Sequence, residues 1–192
     1  MRITGGEFCG RAVKAPDTAA LRPTQDRVRE SLFAMLAPEI AGADFLDLFA
    51  GSGSVGLEAL SRGAASATFV ESSRRHLAAL SENVRALLGA GAPSRASAVA
   101  ADAWRWIASY SGPGFSIAFA DPPYALGEER GYAGVLKALA ERGVVRPGGA
   151  FVAEMASSQG ADEAEGWELV RDRVYGRTRI CIWRRAPSPA EG

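Results

Sequence analysis

The segment with the clearest chemical content is Asp121-Pro122-Pro123-Tyr124. It follows an apolar run, Phe115–Ala120, that reads as a buried strand. Two successive prolines hold the backbone extended and remove two amide donors. A ligand at this point meets the Asp121 carboxylate and free carbonyls, an acceptor-rich surface. An exocyclic amine on a nucleobase is a poor nucleophile, because its lone pair is delocalised into the ring. Acceptors on Asp121 and on the Pro122 carbonyl can hold its two N–H bonds. That pyramidalises the nitrogen and aims the lone pair at a methyl group. Tyr124 can stack on the extruded base.

A second constellation lies upstream. Asp47-Leu48-Phe49-Ala50-Gly51-Ser52-Gly53-Ser54-Val55-Gly56 carries glycines at the G-x-G-x-x-G spacing between an apolar run and a helical pattern. Such glycines permit a tight turn and let a ligand approach the backbone of Phe49 to Gly53. Asp47 bears on the choice of ligand. Facing the pyrophosphate of a dinucleotide, its charge is repulsive; facing the ammonium of S-adenosylmethionine (SAM), it is favourable. Asp47 can equally cap the loop itself. Glu71, followed by Ser72, can accept both hydroxyls of a ribose in either ligand. Asp102 can accept from an adenine amino group, with Ala103 and Trp104 as apolar neighbours, or it can cap the helix behind it.

Elements that could position these residues follow from periodicity. Residues 1–23 read as irregular or short-stranded, punctuated by Gly5-Gly6, Gly10, Pro16 and Pro23. Thr24 can cap a helix in which Val28, Leu32, Met35 and Leu36 recur on one face, with Pro38 closing it. Strands are expected at Asp44–Phe49, Ala67–Val70, Ala96–Ala101, Phe115–Ala120 and Ala150–Glu154, and helices at Ser54–Arg62, Ser73–Leu88, Ala103–Tyr110 and Tyr132–Arg142. Alternation of this kind predicts a parallel sheet with helices on both faces. Trp167–Tyr175 and Thr178–Arg184 have no helix between them and predict an antiparallel hairpin. The strands then end near Asp47, Glu71, Asp102, Asp121 and Glu154, at the edge where open α/β sheets bind ligands.

Composition sets the frame. The chain has 192 residues, 47% hydrophobic and 23% charged, as expected of one globular domain. No apolar run is long enough for a membrane span and no leader is evident at the N-terminus, so a cytoplasmic protein is expected. Two cysteines without a C-x-x-C and a single histidine, His76 on a helix flank, argue against a disulfide framework and a metal site. Net charge is zero, yet residues 1–29 carry six Lys/Arg against three acids, and residues 171–185 carry six Arg against one acid. Two basic segments can offer a surface to nucleic acid.

DLFAGSGSVGLEALSRGA, the acid in FVES, and DPPY together resemble the class I SAM-dependent methyltransferases that methylate amines. RITGGEFCGRAVKAP and LRPTQDRVRESLFAML are similar to the RsmD-type 16S rRNA (guanine-N2)-methyltransferases, over nearly the whole chain. The resemblance implies a Rossmann-like α/β domain spanning 1–186, with a mostly parallel seven-stranded sheet and a C-terminal antiparallel hairpin. Residues 1–37 form an N-terminal extension and closing helix, and 187–192 a frayed tail. It also implies a metal-free, monomeric enzyme whose partner is 16S rRNA within a small-subunit ribonucleoprotein. SAM is held by Asp47, Phe49, Ala50, Gly51, Ser52, Gly53, Glu71, Ser72, Asp102 and Ala103. Asp121, Pro122, Pro123 and Tyr124 match the catalytic motif, and Arg11, Arg22, Thr24 and Arg29 fall on the RNA-facing side. An adenine-N6 methyltransferase shares DPPY, and a non-catalytic NAD- or SAM-binding module shares the glycine loop; both stay open at this point.

Overall fold

The computed structural model describes residues 1–16, 23–122 and 131–187, apart from the side chains of 23–25 and 93. Its strands form a seven-stranded sheet, mostly parallel with an antiparallel C-terminal hairpin, as expected from the sequence. The chain divides into two compact units, Met1–Ala103 and Trp104–Gly192.

In the first unit, helix α1 (Pro23–Ile40) leads into β1 (Asp44–Leu48), α2 (Ser54–Ser61), β2 (Ser66–Glu71), α3 (Arg74–Leu88), the short α4 (Ala92–Arg95) and β3 (Ala96–Ala100). The strands run in the order β3-β2-β1, all parallel, with Leu48 opposite Val70 and Glu71 opposite Ala100. Phe45, Leu46, Leu48, Phe69 and Val70 are each fully buried, which is why β1 and β2 read as continuous apolar runs rather than alternating ones. Pro38 does not close α1: the helix carries it in its last turn and ends at Ile40, whose burial fixes that turn. Ser73 caps α3 by accepting from the His76 amide at 3.4 Å.

Residues 1–14 are more ordered than the glycine-rich sequence suggests. The Ile3 amide donates to the Arg11 carbonyl at 3.0 Å, Arg2 bridges Ala12, and Ile3, Phe8 and Val13 are buried. The turn is fastened to α2 by Glu58, which is 0% exposed. Oε1 of Glu58 accepts from Thr4 Oγ1 and from Arg62 Nε, both at 2.8 Å. Oε2 accepts from the Thr4 amide at 2.8 Å and lies 3.4 Å from Arg29 Nε. Nothing in the helical pattern of SVGLEALS distinguishes this acid from a surface one.

The second unit holds α5 over most of its length (Ala103–Ser109), β4 (Phe115–Ala120), α6 (Ala133–Glu141), β5 (Val145–Ala156), β6 (Trp167–Tyr175) and β7 (Thr178–Arg185). The order is β4-β5-β7-β6, with β4 and β5 parallel and the last two strands antiparallel. β5 runs past both expected ends of Ala150–Glu154: Val145 pairs with Phe115 of β4 at one end, and β7 continues to pair as far as Ala156 opposite Thr178 at the other. Tyr132, Phe151 and Trp183 pack as an aromatic cluster with ring centroids about 6 Å apart. Asp162 Oδ2 accepts from the Ala133 amide at 3.0 Å and from the Tyr132 amide, capping α6 from a distant loop.

Candidate active site

The glycine loop turns at the end of β1, and its backbone occupies conformations that few side chains tolerate. Phe49 has φ 62°, a left-handed value for a residue with a Cβ, so the surroundings must hold it there. Gly51 has φ 55°, and a Cβ at this position would meet nothing within 4 Å. The side of the loop at Gly51 is therefore open. Gly56 serves the opposite purpose: a Cβ there would lie 2.3 Å from the Phe69 ring, so its absence lets α2 pack on β2.

Three buried side chains fasten this loop. Asp47, 2% exposed, accepts from the Gly56 amide through Oδ2 at 2.8 Å. Of the two roles read from the sequence, the structure therefore displays the loop-capping one for that oxygen. Glu71, 8% exposed, accepts from the Gly51 amide through Oε2 at 2.8 Å and from the Ser73 amide through Oε1 at 2.7 Å. Each of its oxygens has a second lone pair, so these bonds leave acceptor capacity for ribose hydroxyls. His76 Nδ1 lies 3.8 Å from Glu71 Oε2. The third fastening, Asn83 on α3, donates through Nδ2 to the Ser52 carbonyl at 3.0 Å. Sequence reading missed it: an Asn inside an amphipathic helix carries no signal except that it falls on the buried side with Leu80 and Leu87.

The other cofactor candidates sit around this frame. Ala50, Ser52 and Gly53 are buried, and the Ala50 amide donates to the Val70 carbonyl at 3.1 Å. Ser72 is exposed beside Glu71. Asp102 is exposed immediately before α5, whose first residue, Ala103, is buried. The Ala101 amide donates to the Glu71 carbonyl at 3.1 Å, which holds the chain leading to Asp102 beside the end of β2.

In the second unit Asp121 directly follows β4, and Pro122 is buried. Pro123 and Tyr124 lie outside the described residues. The register that pairs Ala120 with Ala153 brings Glu154 beside Asp121, one residue beyond that pair on each strand. Asp121 is exposed as a residue, but the protein around its carboxyl desolvates the charged form and raises its pKa. Glu154 is raised further, first by burial and then by the charge of Asp121. The Tyr132 hydroxyl donates to the Glu154 carbonyl at 3.4 Å, and the Tyr132 phenol is itself pushed up by burial and by these carboxylates. Asp47 and Glu71 of the first unit are thus satisfied by amides, while Asp121 and Glu154 of the second are held in like-charge proximity.

Among the expected RNA-facing residues, Arg11 is exposed and donates to the Leu87 carbonyl at 3.4 Å. Arg22 lies outside the described residues, as does the side chain of Thr24. Arg29 is not at a surface. It is 7% exposed, donates to the Arg2 carbonyl at 2.6 Å and to Asp26 at 3.0 Å, and shares Glu58. Its periodicity on α1 gave no warning, because the acid that draws it inward comes from another helix. Of the C-terminal arginines, Arg179 is paired through two 2.7 Å bonds with Asp172, which holds that carboxyl below its usual range.

A family model described as conserved hypothetical protein 95 matches residues 1–184. The chain belongs to this family. Over 96% of its length it is 39% identical to ribosomal RNA small subunit methyltransferase D of Escherichia coli K12, covering 90% of that protein. The yhhF structure from Escherichia coli superposes with TM-score 0.84 at 36% identity, over 98% of this chain and 99% of that one. Magnesium protoporphyrin IX methyltransferase from Synechocystis, solved with SAM bound, shares the fold at TM-score 0.65 and 15% identity, over 96% and 88% of the two chains. The conserved hypothetical protein 95 family model thus takes in both units described above, the glycine loop and Asp121 included.

Proposed function

We propose that this chain is a SAM-dependent methyltransferase, one domain across both units, that methylates the exocyclic N2 amine of a guanine in 16S rRNA. The observation that carries the reading is the glycine loop, held in left-handed turns by Asp47 and Glu71, in a chain 39% identical to an rRNA small subunit methyltransferase. The donor set fits SAM. Gly51 leaves room against the backbone, Glu71 keeps lone pairs for the ribose, and Asp102 with Ala103 offers an acceptor and an apolar wall for the adenine. Bound there, the cofactor supplies an electrophilic methyl group on a positively charged sulfur.

The chain's own residues supply position and charge. Asp121 and the Pro122 carbonyl accept from the guanine amine, and Pro122 has no N–H to compete for them. Tyr124 stacks on the base. Electrostatic stabilisation by Asp121 grows as the attacking nitrogen becomes positive. Desolvation raises the basicity of Asp121, which suits it to take the proton that this nitrogen releases. Arg11 and Arg22 meet RNA phosphate, while Arg29 holds the N-terminal segment in shape. We further propose that the enzyme works as a cytoplasmic monomer on rRNA in a small-subunit ribonucleoprotein.

The test is nucleoside mass spectrometry of unmodified 16S rRNA, naked and assembled into small subunits, after incubation with the protein and SAM. N2-methylguanosine is expected. N6-methyladenosine as the product would overturn the substrate assignment, and no methylated nucleoside in either form would overturn the reading altogether.

A further inference from the structure

Asn83 belongs to no motif, yet its side-chain hydrogen bonds link segments distant in sequence. Its side chain is 2% exposed. One amide nitrogen serves two carbonyls: Ser52 in the glycine loop at 3.0 Å and Lys14 in the N-terminal segment at 2.8 Å. Its oxygen accepts from the Lys14 amide at 3.0 Å. The Lys14 backbone is thus matched at both its donor and its acceptor, as a strand partner would match it. The Ser52 carbonyl lies between Gly51 and Gly53, which with Phe49 are the left-handed residues of the loop.

Asp47 and Glu71 grip amides of the same loop, Gly56 and Gly51, and leave its carbonyls untouched. Asn83 is the side chain that grips a carbonyl at its centre. A buried carbonyl without a donor would turn to find one, and the peptide between Ser52 and Gly53 would turn with it. Two further contacts keep the N-terminal segment against α3: Arg75 donates to the Pro16 carbonyl at 2.7 Å, and Arg11 to the Leu87 carbonyl. The glycine loop and the segment carrying Arg11 therefore share a single buried amide.

We propose that Asn83 is a positioning residue for the cofactor, one that holds the glycine loop in its binding shape and links that shape to the N-terminal segment. The inference rests on the reading of this loop as the SAM site.

The experiment titrates S-adenosylhomocysteine (SAH) into the full chain by calorimetry, with melting temperature recorded for every variant. Asn83→Leu keeps the branched shape and removes all three bonds; its SAH affinity is expected to fall about tenfold or more, the effect of losing hydrogen bonds to a buried group. Should that variant fail to fold, Asn83→Asp carries the same expectation, because it keeps the acceptor for the Lys14 amide and loses both donors. Lys14→Pro deletes the amide from the N-terminal side and is expected to weaken SAH severalfold without altering any residue of the loop. Leu139→Ala, a buried core position of the second unit, provides the comparison for mere instability: its melting temperature falls while SAH affinity stays near wild type.

Unchanged SAH affinity in Asn83→Leu or Asn83→Asp would overturn the inference, as would an equal loss in Leu139→Ala. Unchanged affinity in Lys14→Pro would overturn the link to the N-terminal segment. A wild-type chain that does not bind SAH would overturn the reading of the site, and this inference with it.

Discussion

The glycine loop of the first unit and the Asp121 end of β4 in the second handle their carboxylates in opposite ways. Around the loop, Asp47 and Glu71 each accept backbone amides at 2.7 to 2.8 Å, so their charge is satisfied before any ligand arrives. At the end of β4, the pKa values of Asp121 and Glu154 are pushed up by desolvation, and Glu154 further by its like-charged neighbour. The first arrangement fixes the backbone: Asp47 and Glu71 hold the loop at Gly56 and Gly51, and Glu71 also holds Ser73 at the start of α3. The second keeps a basic group at a site proposed to receive a proton. The two units thus treat their carboxylates differently, by amide bonds in one and by desolvation and like charge in the other.

Glu58 is the buried hub that fastens residues 1–14 to α2. Glu58→Ala leaves Arg29 and Arg62 facing a buried vacancy, and losing one partner of a buried ion pair costs about 3–5 kcal/mol. Denaturant unfolding should show that loss, and hydrogen exchange should show residues 1–14 released first. A loss under about 1 kcal/mol would mean that the N-terminal segment is held by its apolar residues instead.

The reactive side is sharpened next by Asp121. Asp121→Ala should lower kcat by roughly a hundredfold or more while changing SAH affinity only a few-fold, and Asp121→Asn should fall between it and wild type. If SAH binding fell as far as turnover, Asp121 would belong with the acids of the glycine loop and the contrast would collapse.

The smallest effect concerns pH. Both carboxyls have folded-state pKa values above those of the unfolded chain, with Glu154 pushed up to about 8. The folded state thus binds more protons than the unfolded state from the ordinary carboxylate range upward, and the stability this adds is lost as pH rises toward about 8. Glu154→Gln removes that dependence. Its melting temperature should exceed that of wild type by about 2–4 °C at pH 8 and approach it near pH 4.5. A constant offset across this range would show that Glu154 does not titrate there.

Sequence reading reached the strand-to-glycine-loop-to-helix turn and the alternation of elements because both are local: apolar runs and glycine spacing act within a few residues of themselves. The hairpin at the C-terminus was legible for the same reason. The limits of β5 were not, because they depend on how far β4 pairs with it at Val145 and β7 at Ala156, facts stored twenty or more residues away. Pro38 misled for a similar reason: its missing amide ends a helix only where nothing else holds the next turn, and the burial of Ile40 does hold it.

The sequence by itself determined the order of elements, the glycine turn, and the placement of acids at the ends of strands, since periodicity and backbone chemistry decide these. Only the tertiary structure decided what each polar side chain is for. Arg29 looked like an RNA contact and is an internal ion partner. Glu58 and Asn83 drew no notice in the sequence, yet Glu58 is a buried hub and Asn83 bonds the Ser52 carbonyl of the glycine loop. A polar residue's role is set by which groups face it across the fold, and apart from Arg62, one helical turn from Glu58, those partners lie 29 to 69 residues away along the chain for Asn83 and Glu58, beyond the reach of any local pattern.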